Sequence, residues 1–313
     1  MSRYEAADAL RFEENGQLRA MVAAEATFYF TDLARAAAGL IASFDAVMDV
    51  IEPHATMYAT ATMRRKARYK PKVRSLFRDW FAGEQYPSEW YSLEVSSGRE
   101  LESVGPWGLE FAVQPSVLGH RSSPFPGARP KPEAGHFHFS LPLESLPPGQ
   151  AFLELVTKVA ETLPFRSGHA GLGMLYVDGY SLPNRNQTMY AWSRRYRGLD
   201  YRSLVTTSIE MGEKVKSANW LTMLDTDFID QLGGQAALRA ALGSEVGVRD
   251  VGHGVIIQAG PQPLLGDVNR LEPMTAYERV NDAIKPIRVP LILPFPGYDK
   301  TNIVEWLTRF DRS

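Results

Sequence analysis

Histidine is the first residue type to consider for chemistry in this chain. There are six histidines and no cysteine, so thiolate nucleophiles, disulfides and cysteine-type zinc sites are absent. His136 and His138 flank Phe137, a spacing that puts two imidazoles on one face of a strand and supplies part of a metal site. A metal centre needs a third ligand, and neither an acid nor another histidine stands close in sequence. The expectation is a half-exposed strand face rather than a metal enzyme. His54, His120, His169 and His253 are scattered and read as structural or surface residues. Gly168 to Gly173 (GHAGLG) precedes a strand instead of joining strand to helix, so it is not a dinucleotide fingerprint. No phosphate loop, GxSxG elbow or HExxH pair occurs. No lysine has an acid two residues before it, so the D/E-x-K half of restriction-type nuclease sites is missing too.

Two charge clusters remain. Arg64, Arg65, Lys66, Arg68, Lys70, Lys72, Arg74 and Arg78 form a basic run from Arg64 to Arg78 without an acid. Such a run can track a phosphate backbone, with Tyr69, Phe77 and Trp80 stacking on bases. This is the alternative function, a nucleic-acid-binding module. The competing reading is a solvated face balanced by acids elsewhere. A net charge of −2 favours that reading, so nucleic acid is not the expected partner. Asp225, Asp227 and Asp230 form the opposite cluster. At a helix start, acids complement the helix dipole. The same three are the candidate partner-binding residues. No residue is assigned a catalytic, cofactor-binding or metal role, and no cofactor is expected.

The elements that position these residues follow from periodicity. ATFYF at 26–30 reads as a strand, and Thr31 and Asp32 as helix caps. Leu33, Ala37, Leu40, Phe44, Val47 and Ile51 then keep helical spacing until Pro53. Strands are expected over 90–95 and 107–113. A long Pro/Gly/Ser-rich loop is expected over 115–134. A strand carries His136 and His138, with Pro142 marking an edge or an end. Helices are expected over 150–163 and 184–196, and strands over 170–177, 204–211, 217–224 and 251–258. One helix runs from a Thr226 cap through Leu242 to Gly243. Further helices are expected from Pro273 to Ile284 and around Trp306. An aromatic strand leads into an amphipathic helix twice, which leaves open two similar halves. The fold class is α+β, a largely antiparallel sheet with packed helices. The 313 residues make one domain, with any subdivision falling near 115–134. The start MSRYEAADALRFEENG is polar and acid-rich, and the apolar stretches are far shorter than the ~20 residues of a membrane span. The expected compartment is the cytoplasm, with no membrane partner.

Several short motifs occur in a fixed order. They are Ser167-Gly168-His169-Ala170-Gly171, Arg197-Gly198-Leu199-Asp200, Asn219-Trp220-Leu221-Thr222, Leu232-Gly233-Gly234 and AGPQPLLGD from Ala259 to Asp267. With the early FYF strand and its helix, they resemble the type VI secretion immunity protein family (TsiV-like), long catalogued as a domain of unknown function. The resemblance spans roughly residues 18 to 290. It departs where the family often has a proline before Gly-Leu-Asp and this chain has Arg197. The resemblance implies an antitoxin whose partner is a cognate effector toxin, several relatives meeting restriction-endonuclease-like nucleases. It brings no catalytic residues and no motif that marks toxin contacts.

Overall fold

A computed structural model describes residues 4–83, 91–100, 102–113, 134–147, 150–177 and 182–312. The expected loop over 115–134 lies outside the described residues except for Ala134, as does Trp90 of the expected strand over 90–95. In chain order come α1 (Glu5–Asp8), β1 (Arg11–Glu14), β2 (Gln17–Phe30), α2 (Leu33–Ile51), β3 (Met57–Thr60), β4 (Ala67–Arg68) and α3 (Val73–Ala82). Then follow β5 (Tyr91–Ser96), β6 (Gly108–Val113), β7 (Gly135–Leu141), α4 (Ala151–Thr162), β8 (Ser167–Tyr176), α5 (Pro183–Arg195) and β9 (Leu199–Tyr201). The last are α6 (Leu204–Ser208), β10 (Leu221–Asp225), α7 (Thr226–Gln231), α8 (Gln235–Leu242), β11 (Gly247–Val251), β12 (Gly254–Gln258), α9 (Thr275–Ile284) and α10 (Lys300–Leu307). None of these helices is long and apolar enough to cross a membrane.

Twelve strands form one sheet in the order β11-β12-β10-β8-β2-β7-β6-β5-β3-β4, with β1 beside β2 and β9 beside β8. Every pairing is antiparallel except β8 with β9. The α+β architecture is thus the one read from sequence. Strand alternation gives the sheet two different faces. On one, Phe28 and Phe30 of β2 lie level with Phe137 and Gly135 of β7, and Phe137 in turn with Phe111 of β6. Helices α2, α3 and α4 cover this face. Phe77 of α3 stacks on Phe44 of α2 at 4.2 Å and meets Phe111 edge-on, while Phe152 of α4 meets Phe139. Asp32 caps α2 by accepting from the Arg35 amide at 2.9 Å, as its sequence suggests.

Of the two roles expected for Pro142, the strand end holds: β7 stops just before it and is not at an edge, because β2 and β6 flank it. Three other expectations change. Residues 204–208 form the helix α6 despite their β-branched content. The helical turn carries Ser208 back onto Leu204 O at 2.7 Å and aims it at His136, so tertiary contact overrides propensity. The single helix expected after residue 226 is two, α7 and α8, because Gly233 and Gly234 take φ of +90° and +88°. Its cap is Asp225 rather than Thr226. The duplication stops at strand plus helix. After α2 the chain enters outlying β3 and works inward through β5 to β6; after α4 it enters β8 and works outward through β10 to β12.

Candidate functional site

The second face of the sheet carries Glu25, Thr27 and Tyr29 of β2, Glu110 of β6, His136, His138 and Ser140 of β7, His169 of β8 and Thr222 of β10. Their strand registers set them level with one another. The expected half-exposed strand face is in fact fully covered, and His136 and His138 are at most 1% exposed. The cover is the stretch from β9 to Ser217, backed by the C-terminal segment. Tyr201 stacks on Phe295 at 4.5 Å, and Arg309 lies 3.8 Å over Trp306.

Buried polar groups must find partners, and here two ion pairs organise the layer. Asp200 accepts from the Lys216 ammonium at 2.6 Å and from His169 Nε2 at 3.1 Å; Lys216 also donates to Tyr201 O at 2.8 Å. Arg202 donates to Glu110 at 2.8 Å, and His136 Nε2 lies 3.5 Å from the same carboxylate. His136 Nδ1 meets Ser208 Oγ at 2.9 Å, and His138 Nδ1 meets Thr27 Oγ1 at 3.0 Å. Burial alone would raise Asp200 and Glu110, but Lys216 and Arg202 respectively override it and hold both below the usual carboxylate range. Glu25 goes the other way. Burial, reinforced by the Asp200 charge, pushes its carboxyl well up. Both Glu25 oxygens lack a donor among the described residues, so an ionised Glu25 has nothing to accept from; protonated, it donates to Asp200. Burial also lowers His138 and His169, which are therefore neutral. The layer is balanced: two ion pairs, the neutral imidazoles of His138 and His169, and one neutral carboxyl.

The acid that sequence spacing did not supply for His136 is Glu110, brought alongside by strand pairing, but Arg202 engages it. Among the described residues, the group of three close enough to hold an ion is Glu25, His169 and Asp200, with ligand atoms within 4.8 Å of one another. Lys216 already provides the positive charge these carboxyls would seek from an ion. His169, read from sequence as structural or surface, thus lies at the centre of the layer. The signal was its place in the Ser167–Gly171 motif, not its spacing from another histidine.

The motifs that carry the family resemblance converge here. A Cβ at Gly173 would fall within the Glu25 carboxyl, and one at Gly171 would strike Asn219 Oδ1. Gly171 and Gly173 of GHAGLG therefore make room for polar side chains, those of Asn219 and Glu25. Gly198 closes against Leu264 O, with the Gly198 amide donating to Leu265 O at 2.8 Å. Trp220 Nε1 donates to Gly260 O at 3.0 Å. Arg197, in the position often held by proline, donates to Glu278 of α9 at 3.0 Å and to Arg309 O at 2.9 Å, tying the turn to the C-terminal segment.

The two charge clusters lie elsewhere. Arg74 pairs with Asp49 at 2.5 Å and Glu52 at 3.1 Å, Arg78 pairs with Asp45 at 2.5 Å, and Lys66 pairs with Glu94. Phe77 is buried and Trp80 stacks on Tyr91 at 4.6 Å, so these rings are spent on packing rather than offered to bases. At the start of α7, Asp225 accepts from the Phe228 amide at 2.9 Å and from Arg166 at 2.7 Å. Asp227 accepts from the same guanidinium at 2.9 Å but remains 76% exposed, and Asp230 is exposed one turn on. The three acids are neighbours in space, with Asp225 serving the fold.

The family model described as type VI immunity for VRR-NUC matches residues 40–310. Among solved structures, the Pseudomonas aeruginosa T6SS protein PA0821 shares the fold, with a TM-score of 0.78 at 24% identity over 97% of this chain and 88% of that one. No curated protein matches. With the match running over most of the chain, from within α2 to the C-terminal segment, the chain belongs to the TsiV family, type VI immunity for VRR-NUC.

Proposed function

We propose that the protein is a cytoplasmic antitoxin. It binds a cognate type VI effector bearing a VRR-NUC-type nuclease domain and inhibits it by stoichiometric occlusion rather than by turnover. The observation that carries this reading is the family match over residues 40–310. It is supported by the polar layer, whose acid–base groups are paired with one another beneath a cover instead of lining an open cleft. The cytoplasm is where such a nuclease would meet its substrate.

A nuclease cleft must be basic to hold phosphates, so an antitoxin surface complements it with exposed carboxylates, which speed association. Asp227 and Asp230 are the proposed contact acids at the start of α7, and Asp225 supports them as the helix cap. The test is a titration of the purified nuclease domain with the full chain. Cleavage should end at equimolar antitoxin, and protection well below equimolar would overturn occlusion. Replacing Asp227 and Asp230 together by Asn should slow association about tenfold at low salt and flatten its salt dependence, with the melting temperature unchanged. Unaltered association kinetics would remove these acids from the interface.

A further inference from the structure

Leu271 is the outlier of the surface. It is 87% exposed, far beyond every other large apolar side chain among the described residues, and its backbone is left-handed at φ +52°. Leucine gains nothing from that conformation, which glycine and asparagine tolerate far better. The turn that imposes it is firmly built. Asp267 Oδ1 accepts from the Asn269 amide at 3.0 Å, and the Asp267 amide donates to Glu272 Oε2 at 2.9 Å. The Asp267 carbonyl accepts from the amides of Arg270 and Glu272, both at 3.1 Å. Arg195 grips the Asp267 carboxylate through two bonds, at 3.1 and 2.9 Å. A strained, water-exposed leucine is thus held out on a rigid platform, an arrangement that costs the isolated chain stability.

Beside it is an open hollow of about 390 Å³, lined by Tyr4, Tyr196, Pro263, Leu264 and Leu265. Asp267 also lines it, as do Arg270 and Glu272, the two residues that bracket Leu271. An apolar knob and a largely apolar hollow therefore share one patch, flanked by Arg270 and by the Glu272 carboxylate, while the Asp267 carboxylate is held by Arg195. We propose that this patch is a self-complementary interface, on which a second copy of this chain docks about a two-fold axis. Each Leu271 then enters the other copy's hollow, and Arg270 of each faces Glu272 of the other. An isologous contact requires this kind of patch, where knob and hole, and cation and anion, occur side by side. The nuclease is the weaker candidate for this surface. Its phosphate-binding cleft is basic, and the most exposed charged side chain here is Arg270, at 79%. The inference stands independently of the antitoxin reading.

Sedimentation velocity of the full chain across micromolar concentrations tests it. The wild type should pass from monomer to dimer with rising concentration. Leu271→Asn suits the left-handed backbone and should leave the melting temperature unchanged or higher, while weakening the dimer about a hundredfold. Arg270→Glu should weaken it as well, and serves as the readout if the Asn variant melts early. A wild type that stays monomeric throughout, or variants that dimerise like it, would overturn the proposal. So would a monomeric wild type whose Leu271→Asn variant loses nuclease capture, since the patch would then belong to the toxin. The nuclease titration of the wild type decides the antitoxin reading separately.

Discussion

Glu25 and Asp200 are neighbouring carboxyls with opposite protonation, and their variants should behave oppositely. Glu25 is held neutral, so its folded form resists ionisation. The stability linked to it is complete below the ordinary glutamate value and declines as pH rises toward its raised folded value. Glu25→Gln keeps a donor for Asp200 and removes that decline. Its melting temperature should gain on the wild type progressively from mildly acidic to neutral pH, and parallel curves would refute the assignment. Asp200 and Glu110 are depressed, so their contribution is present above the ordinary carboxylate values and is lost on acidification. Asp200→Asn leaves the Lys216 ammonium buried without its counter-charge and should cost about 3 kcal/mol in denaturant unfolding at neutral pH. Of the layer's residues, the His136 and His138 pair stood out by spacing, and His169 and Asp200 only as members of the short motifs. Glu25 and Glu110 did not, because each is an isolated acid and the convergence depends on the pairing of β2, β6, β7, β8 and β9. The candidate acids Asp225, Asp227 and Asp230 were legible because a helix start keeps them local.

The clearest element-scale case is the junction of β10 and α7. Asp225→Ala removes the cap and one partner of Arg166, and should cost about 1 kcal/mol of stability. Measured beside the Asp227 and Asp230 variant, it separates a folding defect from a binding defect, since only the former moves the melting curve. On β8, Gly173→Ala places a methyl group where the Glu25 carboxyl lies. With β2 packed directly alongside, relief is costly, and the variant should lose about 2 kcal/mol or more in denaturant unfolding. Helices α2 and α4 were readable because a long apolar stripe and a stop are local signals. The short strand β11 was not. Its GVRDV sequence carries Arg249 and Asp250 outward, and it is a strand only because β12 offers a partner. Those charges also suit a strand at the open edge of a sheet, where unlike copies must not add on.

Across the whole molecule, stability should fall from the middle of the sheet to its rims. The strand β2 is flanked by β7 and β8, is buried along nearly its full length, and lies between the aromatic layer and the polar one. Its amides should exchange with solvent only on global unfolding, whereas those of β11 and of two-residue β4 should exchange first. Uniform protection across the sheet would contradict this gradient. The architecture follows from the same asymmetry. One face is closed by hydrophobic burial against helices, and the other by paired charges under a non-repetitive cover that no periodicity announces.

The crowding of glycine against glutamate on β8 has an evolutionary corollary. On the proposed reading, a lineage pressed to follow a changing toxin can rewrite the codons for Asp227 and Asp230 at little cost to the fold, because Asp225 supplies the helix cap and the shorter bond to Arg166. At Gly171 or Gly173 an added side chain displaces Asn219 or Glu25, and the altered protein meets selection for a new match with its stability already reduced. Heritable variation is thereby channelled to the outside of the molecule. Two members of the family with the same motifs can then guard against different enemies, and one should give the other's host no shelter.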